Sequence, residues 1–525
     1  MMRVRFIAAI ALVMSAALCF ANASAVVDEN SQTIARASFL IQSGKLESAE
    51  SLLWDVLRQQ PDNPPALNLL GVIRMQQKRY PEAETLLSRA VTLAPDFLPA
   101  RINLARLFNA QSETQKEIGA LLEAVHLAPA DAEVDSALAS AYLKQNDYRR
   151  ALEAEQRIPA ARRPDKALPL LAASYLGLGS INEARALVPS VMSRSAANHA
   201  LLINFAQVLL DFDLVPDALA ALQIAEKRPP LTSELFFTIG RARERKGDLD
   251  LAQKNYQRAL DLNPKSVDSL QALAHLLADQ GKWKESMDLL ARARAIAPES
   301  ADVLRKFAAA SLHGGHAADA VDAAQQLIRL RPEEAEAVYL LGVAQLQNSE
   351  PEQARSTLEK YVKLRPTDPL ALLALGMVQV SLRDFPAAQT SFQQCIQLDP
   401  KQVEAYYELG SVAKDLGEGA AAIPDLEKAL SLNPDHARAH ALLGQLYLSQ
   451  RDYPKAQEHL TRAAELAPNA ADTHYQLGLL FARLNQQEKA QQEMDQFHKL
   501  KEKENPGPAH PGSAPNNSSP PYPPS

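Results

Sequence analysis

Apolar and small residues along this chain fall into short runs with helical spacing, broken at regular intervals by turn residues and proline. In residues 437–470, ARAHALLGQLYLSQRDYPKAQEHLTRAAELAPNA, the residues His440, Leu443, Gly444 and Tyr447 stand at i, i+3, i+4 and i+7, one face of a first helix. Ala456, Leu460 and Ala463 form the matching face of a second helix. Its start is marked by Tyr453-Pro454, whose proline suits a first helical turn, and Pro468 stops it. Neither helix can bury its stripe alone. The pattern therefore predicts a helical hairpin stacked on further copies of itself.

The copies are in the chain. A 34-residue step gives starts at 30, 64, 98, 132, 165, 199, 233, 267, 301, 335, 369, 403, 437 and 471, with one residue missing in the fourth. Position 8 is Gly or Ala every time, from Ala37 and Gly71 to Gly444 and Gly478. Position 20 is Ala except at Glu117 and Ser286, and position 7 is Leu, Ile or Phe except at Arg36. Small residues at 8 and 20 let two helices approach closely, while the large residue at 7 fills the seam. In this register residues 30–504 resemble the tetratricopeptide repeat family. The resemblance implies an all-α fold, a right-handed α-solenoid superhelix of stacked antiparallel helix pairs.

Two regions depart from the pattern internally. Arg36 in the first repeat suits a terminal repeat with one face in water. Pro159 and Pro189 fall in the second helices of the fourth and fifth repeats, where proline removes a donor and clashes with the preceding turn, so a kink or hinge is expected over 155–195. The ends are of another kind. Arg3 and Arg5 precede an apolar run from Phe6 to Phe20 and then Ala21-Asn22-Ala23-Ser24-Ala25, which reads as a secretory signal peptide over 1–25, cleaved after Ala23 or Ala25. As an uncleaved anchor the run falls short of the roughly 20 residues needed to span. Cys19 raises a lipid-modified end, but Leu18 stands where bacterial lipoproteins have a small residue. Residues 505–525, PGPAHPGSAPNNSSPPYPPS after Asn505, carry no apolar periodicity and are expected to form a disordered, Pro-rich tail.

Composition narrows the chemistry. The formal charge is −7, and loss of Arg3 and Arg5 with the leader takes it to −9, so the electrostatic term that phosphate binding needs is missing. Pentatricopeptide repeats, which resemble these units and read RNA, are basic and one residue longer, and nucleic acid is not expected as a partner. One cysteine, Cys395, would remain in the exported chain, at a core position and without a disulfide partner. Gly44-Lys45 and Gly281-Lys282 lack the flanking residues of a phosphate loop and read as turns between helices. His436 and His440 stand at i, i+4 but lack the further ligands a metal needs, and His313 and His316 flank a glycine turn. No catalytic, cofactor or metal constellation rises above the repeats, and the chain is not expected to be an enzyme.

What remains is a binding face. In tetratricopeptide proteins, positions 2, 5, 9 and 12 of the first helix line a concave groove where peptides dock. Here the seventh and eighth repeats give a polar lining, Glu234, Arg241, Glu244, Asp268, Gln271 and His275. The tenth to twelfth give Tyr339, Val343, Leu346, Leu370, Leu373, Met377, Val380 and Tyr407, an apolar lining expected to dock a helix or extended peptide, unless the chain itself or a second copy covers it. No repeat has Lys at position 5 or Asn at position 9, so the carboxylate clamp of chaperone-binding members is not expected. The resemblance implies an exported scaffold for protein or peptide partners in the periplasm or envelope, as in envelope assembly and polysaccharide export. The alternative is an accessory subunit of an envelope enzyme or secretion complex whose catalysis sits on another chain. Intact-mass measurement of the protein purified from the envelope is expected to give a chain starting near Val26, and retention of residues 1–25 rejects cleavage.

Overall fold

A computed structural model describes residues 29–195 and 198–504. The expected signal peptide and the expected Pro-rich tail lie outside the described residues. Within them the fold is all-α, as the periodicity requires, with 29 α-helices, one 3-10 turn and no strand. The chain divides into two compact bodies, Met1–Leu262 and Asn263–Ser525.

In the N-terminal body the first helices are Glu29–Gln42, Pro64–Gln76, Leu98–Ala110, Ala132–Lys144, Ala167–Gly177, His199–Asp211 and Ser233–Arg245. In the C-terminal body they are Val267–Asp279, Ala301–His313, Ala335–Gln347, Pro369–Ser381, Val403–Asp415, Ala437–Ser449 and Ala471–Arg483. Each is followed, after a three-residue turn, by a second helix that packs antiparallel against it, and neighbouring hairpins within each body stack. Starts are set by local chemistry. Asn63, Asp131, Ser266, Ser300 and Asp368 accept the backbone N–H of the first turn. The turns between the two helices share one left-handed residue, glycine in six of them and a side-chain-bearing residue in others, as at Asn146 (φ 57°) and Arg451 (φ 62°). Past it the chain closes on the first helix, with the Asp452 N–H donating to the Tyr447 carbonyl at 2.9 Å.

The seam inside each hairpin is tight. A Cβ at Gly444 would lie 2.5 Å from Leu460 Cγ, and at Gly376 2.4 Å from a ring carbon of Phe392. Gly71 meets Leu87, Gly240 meets Tyr256 and Gly342 meets Leu358 in the same way. Position 8 therefore faces position 24, and the alanines of position 20, such as Ala83, Ala388 and Ala456, are fully buried beside them. Glu117, one of the two exceptions there, is buried too, bonded to Lys144 at 2.7 Å and Asn109 at 2.8 Å.

The prolines in the irregular region act as expected from their missing donors. The second helix of the fourth hairpin, Tyr148–Gln156, has 9 residues where most have 14, and a 3-10 turn Ala160–Arg162 follows Pro159. The next second helix is broken into Ile181–Arg185 and Val188–Arg194, with Pro189 in the first turn of the second piece. Gly444→Leu and Ala456→Leu are each expected to lower stability by about 1–3 kcal/mol through overpacking, read as a lower unfolding midpoint by circular dichroism. Unchanged midpoints in both variants contradict the seam.

Candidate functional site

The eight residues singled out on the first-helix face lie in Ala335–Gln347, Pro369–Ser381 and Val403–Asp415, all in the C-terminal body. They do not share one environment. Tyr339, Val343, Leu373 and Met377 are buried, with exposures of 2, 0, 0 and 7%. Leu346, Leu370, Val380 and Tyr407 are half-buried. For the first four the lining is therefore covered by the stack itself, the alternative open in the sequence, and their expected part in docking is corrected. Adjacent first helices stack side by side, and positions 5 and 9 of the tenth and eleventh repeats fall into that junction. Tyr339 also sits 5.2 Å ring to ring from Tyr361 of the hairpin's second helix. Leu346 packs against both neighbouring core clusters and so links Leu370 to Val380.

Charge frames this strip on both sides. Before it, Arg305 pairs with Glu334, and its Nε with Glu336 at 3.0 Å. Lys306 and Gln271 hold the Asp302 carboxylate at 2.9 and 2.6 Å. After it, Glu404 accepts from Arg438 and meets His436 Nε2 at 2.9 Å. The Arg438 guanidinium lies 4.6 Å from the Tyr407 ring centre, a cation–π contact. Burial pushes the Tyr407 phenol up and takes the Glu408 carboxyl to about 7, with Asp415 adding to the latter. The face thus offers apolar surface edged by groups that donate and accept hydrogen bonds, which suits a polypeptide partner.

The same register carries two residues that sequence reasoning passed over. Tyr475 and Leu479, at positions 5 and 9 of Ala471–Arg483, are exposed by 37 and 38%, and Tyr475 touches Phe497 of the long last helix Gln487–Glu504. Their positions were the available signal.

Other candidates are not brought together. His436 caps its helix, its Nδ1 accepting the Ala439 N–H at 3.1 Å, whereas His440 turns to His459, Nδ1 to Nδ1 at 2.9 Å, and to the Pro434 carbonyl. His313 stacks on Trp283 at 4.0 Å. Gly44 and Gly281 are the left-handed turn residues. Cys395 is buried, and burial pushes its thiol up to about 12. An open trough of about 580 Å³ beside His440 is lined by Gln457, Glu458, Arg462 and Glu465. A smaller apolar cavity of about 130 Å³ lies against the broken helix, between Val191, Met192, Leu202 and Phe205, with the Arg185–Asp217 pair among its lining. No described helix is long and apolar enough to cross a membrane.

Comparison with known proteins bears on the repeats. Two family models, each described as tetratricopeptide repeat, match residues 40–107 and 245–309, and residues 203–252, 308–369, 373–436, 407–471 and 441–496. Cellulose synthase operon protein C of Pseudomonas fluorescens (strain SBW25) is 29% identical over 262 residues, 48% of this chain and 18% of the relative. Its namesake in Xanthomonas axonopodis pv. citri (strain 306) is 26% identical over 291 residues, 52% and 19%. Human protein O-mannosyl-transferase TMTC1 is 28% identical over 199 residues, 37% and 22%. The chain spans about a fifth of the length of these curated relatives. Among solved structures, a tetratricopeptide repeat protein from Parabacteroides merdae ATCC 43184 aligns with a TM-score of 0.43 and 20% identity, over 47% of this chain and 98% of that one. The Cut9–Hcn1 complex of the APC/C aligns with 0.40 and 17%, over 86% and 97%. The family models together cover more than half of the sequence, in the register that its helical hairpins display, and the chain belongs to the tetratricopeptide repeat family.

Proposed function

We propose that this chain is a non-catalytic scaffold of fourteen tetratricopeptide repeats, exported to the periplasm or cell envelope, that holds a protein or peptide partner on its first-helix face. The observation that carries the reading is the half-covered strip of Leu346, Leu370, Val380 and Tyr407 between two charged groups. A partner gains by covering the strip, and the flanking Arg305 and Glu404–Arg438 groups orient its backbone. Tyr339, Val343, Leu373 and Met377 shape the strip from beneath instead of meeting the partner.

The leader-like residues 1–25 support export. Similarity to two proteins named for a cellulose synthase operon supports a second, narrower reading, in which the chain is an accessory subunit beside an envelope polysaccharide synthase or export complex with catalysis on another chain. Neighbouring reading frames for polysaccharide synthases favour that reading.

The burial pattern decides how to test the strip. Substituting Leu373 or Met377 would break the fold, whereas Leu346 and Val380 are reachable. In-cell cross-linking followed by mass spectrometry is expected to give defined partner proteins for the wild type and to lose them, at least tenfold, in Leu346→Glu with Val380→Glu, at unchanged helical content. Recovery of the same partners at wild-type yield rejects the strip as the docking face.

A further inference from the structure

The fourth repeat contains an anomaly that neither the scaffold reading nor the docking face uses. In the 34-residue register, position 24 is the large residue that fills the hairpin seam, as at Leu53, Leu87, Tyr256, Phe392 and Leu460. Thirteen repeats have an apolar residue there, and the one that starts at 132 has Glu155. Position 4, apolar at Leu67, Leu202 and Leu270, is Asp135 in the same repeat. Both acids are fully buried.

Their hydrogen bonding is incomplete. Arg157 donates to one oxygen of Asp135, from Nε at 2.8 Å and from Nη2 at 2.5 Å, while Oδ2 of Asp135 is buried without a partner. Neither oxygen of Glu155 makes a hydrogen bond of good geometry, although the Ser136 hydroxyl is close enough to oppose the effect of burial. An ionised carboxylate in such a place costs more than nearly any single contact returns, so the closed hairpin holds this acid neutral. Burial pushes Glu155 up to about 7, the Ser136 hydroxyl and Arg163 pulling the other way, Asp135 adding and Lys166 opposing. The next first helix, Ala167–Gly177, carries no charged residue to compensate. Among the described residues no three His, Cys, Asp or Glu groups converge to hold a metal.

We propose that Asp135 and Glu155 form a proton-operated latch: protonated Glu155 seats in the seam between Ala132–Lys144 and Tyr148–Gln156, and on losing its proton to solvent it is expelled and the short helix loosens. The location favours it. Tyr148–Gln156 is five residues shorter than Tyr80–Leu93 and ends where the proline-bearing irregular segment begins, so fewer contacts oppose its release.

The sign follows from linkage. The group's pKa is higher in the closed hairpin than the ordinary 4.5, so its stabilising effect is complete below about 4.5 and falls as pH rises towards about 7. Hydrogen exchange on the full chain, corrected for intrinsic rates, tests it. Between pH 6 and pH 8 the protection of 148–156 is expected to fall about tenfold, the ratio set by these two pKa values, while Phe385–Leu398, whose seam residue is Phe392, stays constant. Glu155→Gln, which cannot ionise, and Glu155→Leu, which restores the usual residue, are expected to show no such fall. A flat wild-type profile overturns the latch. So does a fall that persists in Glu155→Gln, and both readings stand even if Glu155→Leu fails to fold.

Discussion

The contact between a glycine at position 8 and a large side chain at position 24 is the constraint from which the architecture follows. With Leu460 Cγ only 2.5 Å from where a Gly444 Cβ would be, the two helices of that hairpin approach as closely as backbone allows. Burying a leucine or phenylalanine this way contributes roughly 1.5–3 kcal/mol, and the gain recurs with each hairpin instead of accumulating in one core. A stack built so has no centre. Its stability is a sum of local seams and of the junctions between neighbours, and a weak seam weakens its own neighbourhood first.

That narrowness also decides what the first-helix face can offer. Because each hairpin is thin, the next first helix comes close enough to cover Val343 and Leu373, and the lining is half consumed by the stack itself. The seam could be read in the sequence because it depends on residue size at fixed spacing, which a single chain displays as Gly, Ala and Leu in register. The turns could be read for the same reason at Gly44 and Gly281, though not at Lys78 or Arg451, where a long side chain takes the left-handed conformation and gives no compositional sign. The lining could not be read in full. Whether Tyr339 is groove or core depends on how far one hairpin is displaced from the next, and no residue encodes that distance.

Tyr148–Gln156 shows the converse. Pro159 announces the end of the helix, yet the consequence for packing lies four residues earlier, where a carboxyl stands in place of the seam's large residue. Glu155 is conspicuous only once position 24 is known to face position 8, a pairing that the three-dimensional contact of Gly71 with Leu87 reveals. Asp135 on the opposite helix removes any reading of Glu155 as a surface residue. Two buried acids in one hairpin, Asp135 paired with Arg157 and Glu155 left without such a pair, give on the proposed latch a closed state that depends on pH in a way its apolar neighbours do not.

The division of labour on the C-terminal body follows from the same economy of contacts. Charges at the junctions are largely committed to each other: Arg305 to Glu334 and Glu336, and Arg438 to Glu404 with its face on Tyr407. Such pairs near the surface add little stability, since solvent screens them and side-chain entropy opposes them. Their effect is to hold Glu404 and Arg305 in place at the edges of an apolar strip. A partner docked on Leu346 and Val380 as proposed would meet groups already oriented and would not have to order them itself. In the proposed docking, affinity comes from the apolar contact and register from the charged edges.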